Sequence, residues 1–327
     1  MFFNRMRLSC NWILTLLLVF ALPSATGAQE SNRPFVFAPQ WMAQAQFAGY
    51  YAALEKGFYE EEGLKVEIVH PFATQDLKER FASVEADAAT LPLTQAMEIV
   101  AGGFPLVNIL QTSMNSAMVI VSRKGQDPRS LKKAKVATWR SGFDQLARSV
   151  ASGRGLGFQW IEAVYPVNLF VAGAVDAAVA MTYNELLMIR QAGFDPTPES
   201  IYRFKDNGYN IQEEGVYMSR SYYLKNKDRA DRFARASRKG WEWVAEHPEE
   251  ALDIVMGYVK KNRIATNRTI QKLMLQEVLS LQLDPGSGNR EFRLRPDMVE
   301  KAGEILMGSG TIKRKVKAEE LLPWDDC

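Results

Sequence analysis

The sequence predicts an α/β protein of two lobes, joined by a hinge of two chain crossings and carrying a helical C-terminal tail. Three patterns predict it. From Phe35 to Pro71 a short strand, a loop with Trp41, a helix and a second strand follow one another. From Gln126 to Gln191 strands and helices alternate again, and a strand at Gly215–Met218 precedes a stretch that is mainly helical. Alternating strands and helices mark sheets covered by helices. A late strand returning to the first set implies two crossings, hence a hinged pair with a cleft between.

In the first unit, Phe47, Tyr51, Leu54 and Phe58 recur on one helical face. Gly57 suits the helix exit and Gly63 a tight turn. Leu64, Val66 and Ile68 then alternate with Lys65 and Glu67, as a half-buried strand requires. Leu77–Val84 reads as a helix, Ala86–Leu93 as a short strand and loop, and Thr94 as the N-cap of a helix over Gln95–Ala101. Leu106–Leu110 and Met118–Val121 read as two further strands of this first set.

The second set opens with a helical turn at Ser130–Lys133 and a strand at Lys135–Thr138. A loop at Trp139–Phe143 and a helix over Asp144–Ala151 come next. Trp160–Tyr165 is strand-like, Val167–Ala172 helical and Ala177–Met181 a buried strand. The loop Thr182–Asn184 opens a helix over Glu185–Gln191. The tail reads as helices over Lys227–Glu246, Pro248–Lys260, Ile264–Ser280 and Pro296–Ser309, with Pro248 well placed at a helix start.

The N-terminus resembles an export signal. Arg5 and Arg7 precede an apolar run from Trp12 to Leu22 that is short for a membrane span, and small residues around Ala28 offer a cleavage point. Removing residues 1–28 lowers Lys plus Arg from 40 to 38 against 38 Asp plus Glu, because Arg5 and Arg7 are lost and no acid is. Such a balance argues against nucleic acid as a partner. Of the two cysteines, Cys10 and Cys327, only Cys327 survives this removal, so neither an internal disulfide nor a cysteine metal site is expected.

Several runs are similar to one known family. They are Trp41 with Gln44–Ala53, Gly57–Tyr59, Glu62–Ile68, Val175–Ala177, Met181–Glu185, Glu214–Tyr217, and Gly240–Trp241 with His247–Ala251. Together they resemble the thiamine-pyrimidine-synthase-like periplasmic binding proteins, solute receptors of ABC importers related to the aliphatic-sulfonate receptors. The resemblance implies a type II periplasmic binding fold. Lobe one would be residues 33–121 plus 216–327 and lobe two 122–215. It also implies a periplasmic monomer that binds a small flat organic solute, such as a thiamine pyrimidine precursor, and meets a membrane permease, with no cofactor.

The candidate ligand-binding residues lie beyond strand ends, where open α/β sheets bind ligands. Trp41 offers an indole face for stacking a flat heterocycle, or else fills the base of its lobe. Thr90, Leu91 and Thr94 adjoin a helix start that can bind a polar or anionic group, although Thr94 capping alone also explains them. Trp139, Arg140 and Phe143 form the matching loop of lobe two. Arg140 either clamps an acidic group or is a solvated surface residue. The resemblance implies ligand contacts at Tyr183, Asn184 and Glu185, with Glu185 suited to accept from an aminopyrimidine. Glu214 and Tyr217 flank the return crossing, where hinge structure is the alternative.

No catalytic set is read. Fungal relatives are single-turnover synthases that consume pyridoxal phosphate and one of their own histidines. The corresponding position here is Phe47, Ala43-Gln44 replaces the usual Pro-Asn, and the cysteine-rich motif has no counterpart. A receptor is therefore the expected function. The rivals are a pyrimidine-salvage or synthase-like enzyme on the same fold, and an exported sensory module.

Overall fold

Ten strands pair into two five-stranded sheets in the computed structural model, which describes residues 33–70, 86–123, 125–140 and 143–323. The predicted signal segment, the helix at Leu77–Val84, Ser141, Gly142 and Cys327 lie outside the described residues.

The first sheet contains β1 (Phe35–Ala38), β2 (Val66–Ile68), β3 (Ala88–Pro92), β4 (Leu106–Gln111) and β10 (Glu214–Ser219), in the order β2-β1-β3-β10-β4. β1 runs parallel to both neighbours, with Phe35 opposite Val66 and Phe37 opposite Ala88. β10 is antiparallel to β3 and β4. The second sheet contains β5 (Met118–Ser122), β6 (Lys135–Trp139), β7 (Gln159–Ala163), β8 (Ala177–Met181) and β9 (Ile201–Arg203), in the order β7-β6-β8-β5-β9. β6 is parallel to β7 and β8, and β5 is antiparallel to β8 and β9. The fold is thus two α/β lobes of one plan. In each, a parallel trio is followed by an antiparallel strand that the chain supplies as it arrives from the other lobe.

That plan corrects one expectation. The sequence reading groups Met118–Val121 with the first set, but β5 pairs with β8, Met118 opposite Met181, in the second sheet. The crossings are therefore 112–117, between β4 and β5, and 204–213, between β9 and β10. The three-residue strand β9 and the helix at Arg220–Lys225 are not anticipated from sequence.

The helices, numbered in chain order, are α1 (Ala48–Glu55), α2 (Phe58–Glu61), α3 (Leu93–Ala101), α4 (Gln145–Gly153), α5 (Pro166–Val171), α6 (Glu185–Gln191), α7 (Arg220–Lys225), α8 (Lys227–Glu246), α9 (Pro248–Lys261), α10 (Arg268–Leu281) and α11 (Pro296–Gly308). Gly57 follows α1 at φ 78°, the left-handed conformation expected at that exit.

Three apolar clusters hold the molecule. One covers the first sheet with α1 and α8–α10, through Phe37, Tyr50, Phe233 and Trp241. Another covers the second sheet with α5 and α6, through Val119, Phe170 and Ile189. The third runs through both lobes, joining Leu91 and Met97 to Val136, Leu146 and Val179, with Leu306 of α11 beside them. Shared burial of this kind holds the lobes together because parting them would return apolar surface to water. Behind the cleft, Gln145 Nε2 of α4 donates to Glu98 Oε2 of α3 at 2.8 Å, and Ser309 Oγ donates to Ser149 Oγ at 2.8 Å.

Helix α8 lies on α1 at a glycine crossing. A Cβ on Gly49 would stand 2.2 Å from the Trp241 ring, and one on Gly240 would stand 2.2 Å from the Gly49 carbonyl. Only residues without side chains allow this approach, which seats Trp241 against the first sheet.

Candidate ligand-binding cleft

The loop after β1 is pinned from several sides. Thr90 Oγ1 of β3 accepts the Gln40 N–H at 2.8 Å, and Gln271 Oε1 of α10 accepts the Ala45 N–H at 2.7 Å. His70, just past β2, has Nδ1 2.7 Å from the Trp41 carbonyl. A carbonyl only accepts, so Nδ1 carries the proton there, and Nε2 accepts the Tyr51 hydroxyl at 2.7 Å. Trp41 is thereby presented to the opposite lobe. Its ring meets Phe143 edge-on at 6.0 Å and Tyr165 at 6.4 Å, favourable aromatic geometries.

The answering surface comes from the ends of β6 and β8. Glu185, in the first turn of α6, receives three donors. Trp139 Nε1 lies at 3.3 Å, Asn184 Nδ2 at 2.9 Å and the Met181 N–H at 3.0 Å. Burial still raises the Glu185 carboxyl above its usual range, since these bonds offset only part of the lost hydration.

These groups line three cavities in a row. The outermost, the mouth, holds about 630 Å³ and is lined by Trp41, Trp139, Tyr165, Asn184, Glu185 and Gln271 among others. That volume suits a small organic molecule. A neck of about 30 Å³ shares Trp41, Trp139, Asn184 and Glu185 with the mouth and adds Phe143 and Tyr183. Beyond Tyr183, an inner chamber of about 30 Å³ is lined by Gln40, Gln46, Thr94, Thr112, Glu213, Glu214, Trp241 and Gln282 among others.

Two carboxylates dominate the chamber. Glu213 accepts from the Ser116 hydroxyl and from the Ala117 N–H at 2.8 Å. Glu214 accepts from the Gln46 amide, from Gln40 Nε2 at 3.1 Å and from Thr112 Oγ1 at 3.4 Å. Burial pushes both carboxyls up to about 7. The Tyr183 hydroxyl is raised as well, first by burial and then by Glu214, Glu185 and Glu213.

The structure brings together Trp41, Trp139, Phe143, Tyr183, Asn184 and Glu185 at mouth and neck, and Thr94 and Glu214 at the chamber. It places the others elsewhere. Thr90 is occupied by the Gln40 N–H, while Leu91 and Tyr217 are buried in apolar packing. Arg140 is exposed and lines none of the three cavities. Thr94 is not the N-cap: α3 begins at Leu93, whose N–H donates to the Glu213 carbonyl at 2.8 Å. Gln40, Gln46, Tyr165, Glu213 and Gln282 were not singled out from sequence. An amide directly beyond the end of β1 is the signal that points to Gln40.

Among the described residues, no group of three or more His, Cys, Asp or Glu side chains is arranged to hold a metal ion, and no helix is long and apolar enough to cross a membrane.

A cleft between two α/β lobes of common plan defines a two-lobed binding-protein fold. Solved structures share it. A ligand-binding component of an ABC-type import system from Staphylococcus aureus superposes with a TM-score of 0.65 at 11% identity, covering 88% of this chain and 96% of that one. The periplasmic aliphatic sulphonate binding protein of Escherichia coli gives 0.61 at 14% identity, covering 89% and 92%. The sequence profile described as NMT1/THI5 like matches residues 44–251, and the chain belongs to that family. A Haemophilus influenzae protein named for thiamine biosynthesis is 26% identical over 86% of this chain and 88% of its own length. The formylaminopyrimidine-binding protein of Halalkalibacterium halodurans is 24% identical over 75% of each. A 4-amino-5-hydroxymethyl-2-methylpyrimidine phosphate synthase of Aspergillus parasiticus is 30% identical, over 32% of each chain.

Proposed function

We propose that this chain is the exported solute-binding receptor of an ABC importer, taking a small flat organic solute of the thiamine-pyrimidine class between its lobes. One observation carries this reading. Trp41 from the first lobe and Trp139, Asn184 and Glu185 from the second line a single cavity of about 630 Å³. A solute touched by both lobes favours the closed form over the open one, and a permease can recognise that difference. The lobes would swing about the crossings at 112–117 and 204–213. Residues 1–28 would be removed on export to the periplasm, leaving a monomer. The neighbours named as ABC import and periplasmic binding components support this setting, as does the relative named for formylaminopyrimidine binding.

A thermal-shift screen over thiamine pyrimidine precursors, sulfonates and aromatic acids tests the reading. A true solute at a hundred times its Kd adds about 2.7 kcal/mol of stability. Trp41→Ala should abolish that gain, and mass spectrometry should recover the solute unaltered. A gain that survives Trp41→Ala, or a chemically changed solute, refutes the receptor reading.

A further inference from the structure

The chamber beyond Tyr183 differs from the mouth in kind. Glu213 and Glu214 are 8% and 9% exposed, and the groups bonded to them are neutral: a hydroxyl from Ser116, a backbone N–H from Ala117, amides from Gln40 and Gln46, and the Thr112 hydroxyl. No Lys, Arg or His lines the chamber or the neck, and exposed Arg263 is the one such cation among the described residues lining the mouth. Two carboxylates buried side by side without a counter-charge are costly to ionise.

A second observation points to a missing occupant. Gln282, 2% exposed, lines the chamber, and its Nε2 has no hydrogen-bond partner. Gln40 Oε1 is likewise unpartnered at the same wall. Buried polar atoms are normally satisfied, so two on one small cavity call for a polar group inside it. The volume of about 30 Å³ admits a substituent rather than a ring.

We propose that the inner chamber is a specificity subsite for an amino or amidine group of the solute, with Glu213, Glu214 and Gln40 accepting its N–H groups and Gln282 addressing an adjacent acceptor atom. The assignment rests on the receptor reading and narrows it. The flat ring would stay in the mouth beside Trp41 and Trp139 while its amino edge points through the neck past Tyr183. Sulfonates and carboxylates are excluded, because an anion entering the chamber would face two acids and no cation. This solute class departs from the one named for the sulphonate-binding structural neighbour.

Calorimetric titration at pH 8 with three probes tests it. They are 4-amino-5-hydroxymethyl-2-methylpyrimidine, the same ring lacking the amino group, and an aliphatic sulfonate. The wild type should bind the amino compound at least about tenfold more tightly than the desamino compound, since a site built for a donor rejects the analogue without it. Glu214→Gln should cut that ratio to about threefold or less, because an amide can turn a donor toward the incoming amine. Should that variant fold poorly, Glu213→Gln gives the same reading. Trp41→Ala should weaken both pyrimidines alike. A ratio unchanged in both glutamine variants overturns the subsite, as does equal binding of the two pyrimidines by the wild type. Trp41-dependent binding of the sulfonate alone overturns the subsite and leaves the receptor reading standing. No binding by any probe, together with no hit in the wider screen, removes both.

Discussion

The two lobes share one plan and differ in how their cleft loops are held. In the first, the segment after β1 is tied to β3, to the residue past β2 and to α10, and α8 is pressed onto α1 behind it. In the second, the end of β6 and the loop after it are bonded within their own lobe, through the Trp139–Glu185 bond, the Thr138 hydroxyl on Asp144 and the Arg140 N–H on the Ala163 carbonyl, while the Arg140 side chain is exposed. The same topology therefore yields a rigid platform on one side and a lighter jaw on the other. The helical tail makes the difference, since α8 and α9 pack against the first sheet's cluster, joined by most of the buried face of α10, whose Leu281 also reaches the shared cluster.

The comparison is broken most severely at the glycine crossing. Gly240→Ala puts a methyl 2.2 Å from the Gly49 carbonyl, a backbone atom that cannot turn aside. Urea unfolding should show a loss of about 3 kcal/mol or more. The matching change in the lighter lobe, Gly153→Ala at the end of α4, meets nothing within 4 Å and should be neutral or stabilising by up to about 1 kcal/mol. Equal effects at the two sites would show that the platform is no stiffer than the jaw.

Next in size is the acid pair at the crossing. Glu213 and Glu214 have folded values raised to about 7 from 4.5. The raised value means that the folded state holds its protons more tightly than the unfolded chain does. The associated stability is full below about pH 4.5 and is lost as pH climbs to about 7. With no solute present, wild-type stability should fall between pH 5 and pH 8, by at most about 3 kcal/mol per group. Glu214→Gln should flatten that slope, which urea titrations at several pH values would detect. An unchanged slope would mean that the chamber is open to water in solution.

Much of this fold was legible because its local patterns are strong. The buried strand Ala177–Met181 and the helices Glu185–Gln191 and Lys227–Glu246 have the ends that their apolar spacing implies. Non-local facts were not legible. Nothing within Met118–Val121 says which sheet it joins, because pairing is decided by residues some sixty positions away at Ala177–Met181. Thr94 reads as a cap until the Glu213 carbonyl is seen holding the Leu93 N–H. Trp41, Trp139 and Phe143 followed from strand-end logic, and Tyr183, Asn184 and Glu185 from the family resemblance together with their place after a strand. Glu213 did not: only its neighbour Glu214 is a candidate at the return crossing, and the burial of Glu213 depends on the packing around it.

A smaller effect should separate the lobes at their rims. Ser149→Ala removes a hydroxyl that meets Ser309 and Thr311 behind the cleft. The bonds lie between neutral groups and are only partly buried, so the loss should be about 1 kcal/mol. If these bonds belong to the closed form, the variant should also open more readily, which small-angle scattering would record as a larger radius of gyration before solute is added.

The smallest effect is expected at Arg140, and it bears on which lobe selects the solute. Its side chain is exposed and lines none of the three cavities, while its N–H continues the β6–β7 ladder to the Ala163 carbonyl at 3.0 Å. Arg140→Ala keeps that backbone bond and removes only a solvated charge, so stability should change by less than about 0.5 kcal/mol. Solute affinity should change by about twofold or less if the acids at the chamber do the selecting. A loss above about tenfold, restricted to anionic solutes, would show that the lighter lobe turns this guanidinium inward on closing and reads an acidic group there. In that case the two lobes would exchange roles: the platform would hold the ring and the jaw would decide which solute is kept.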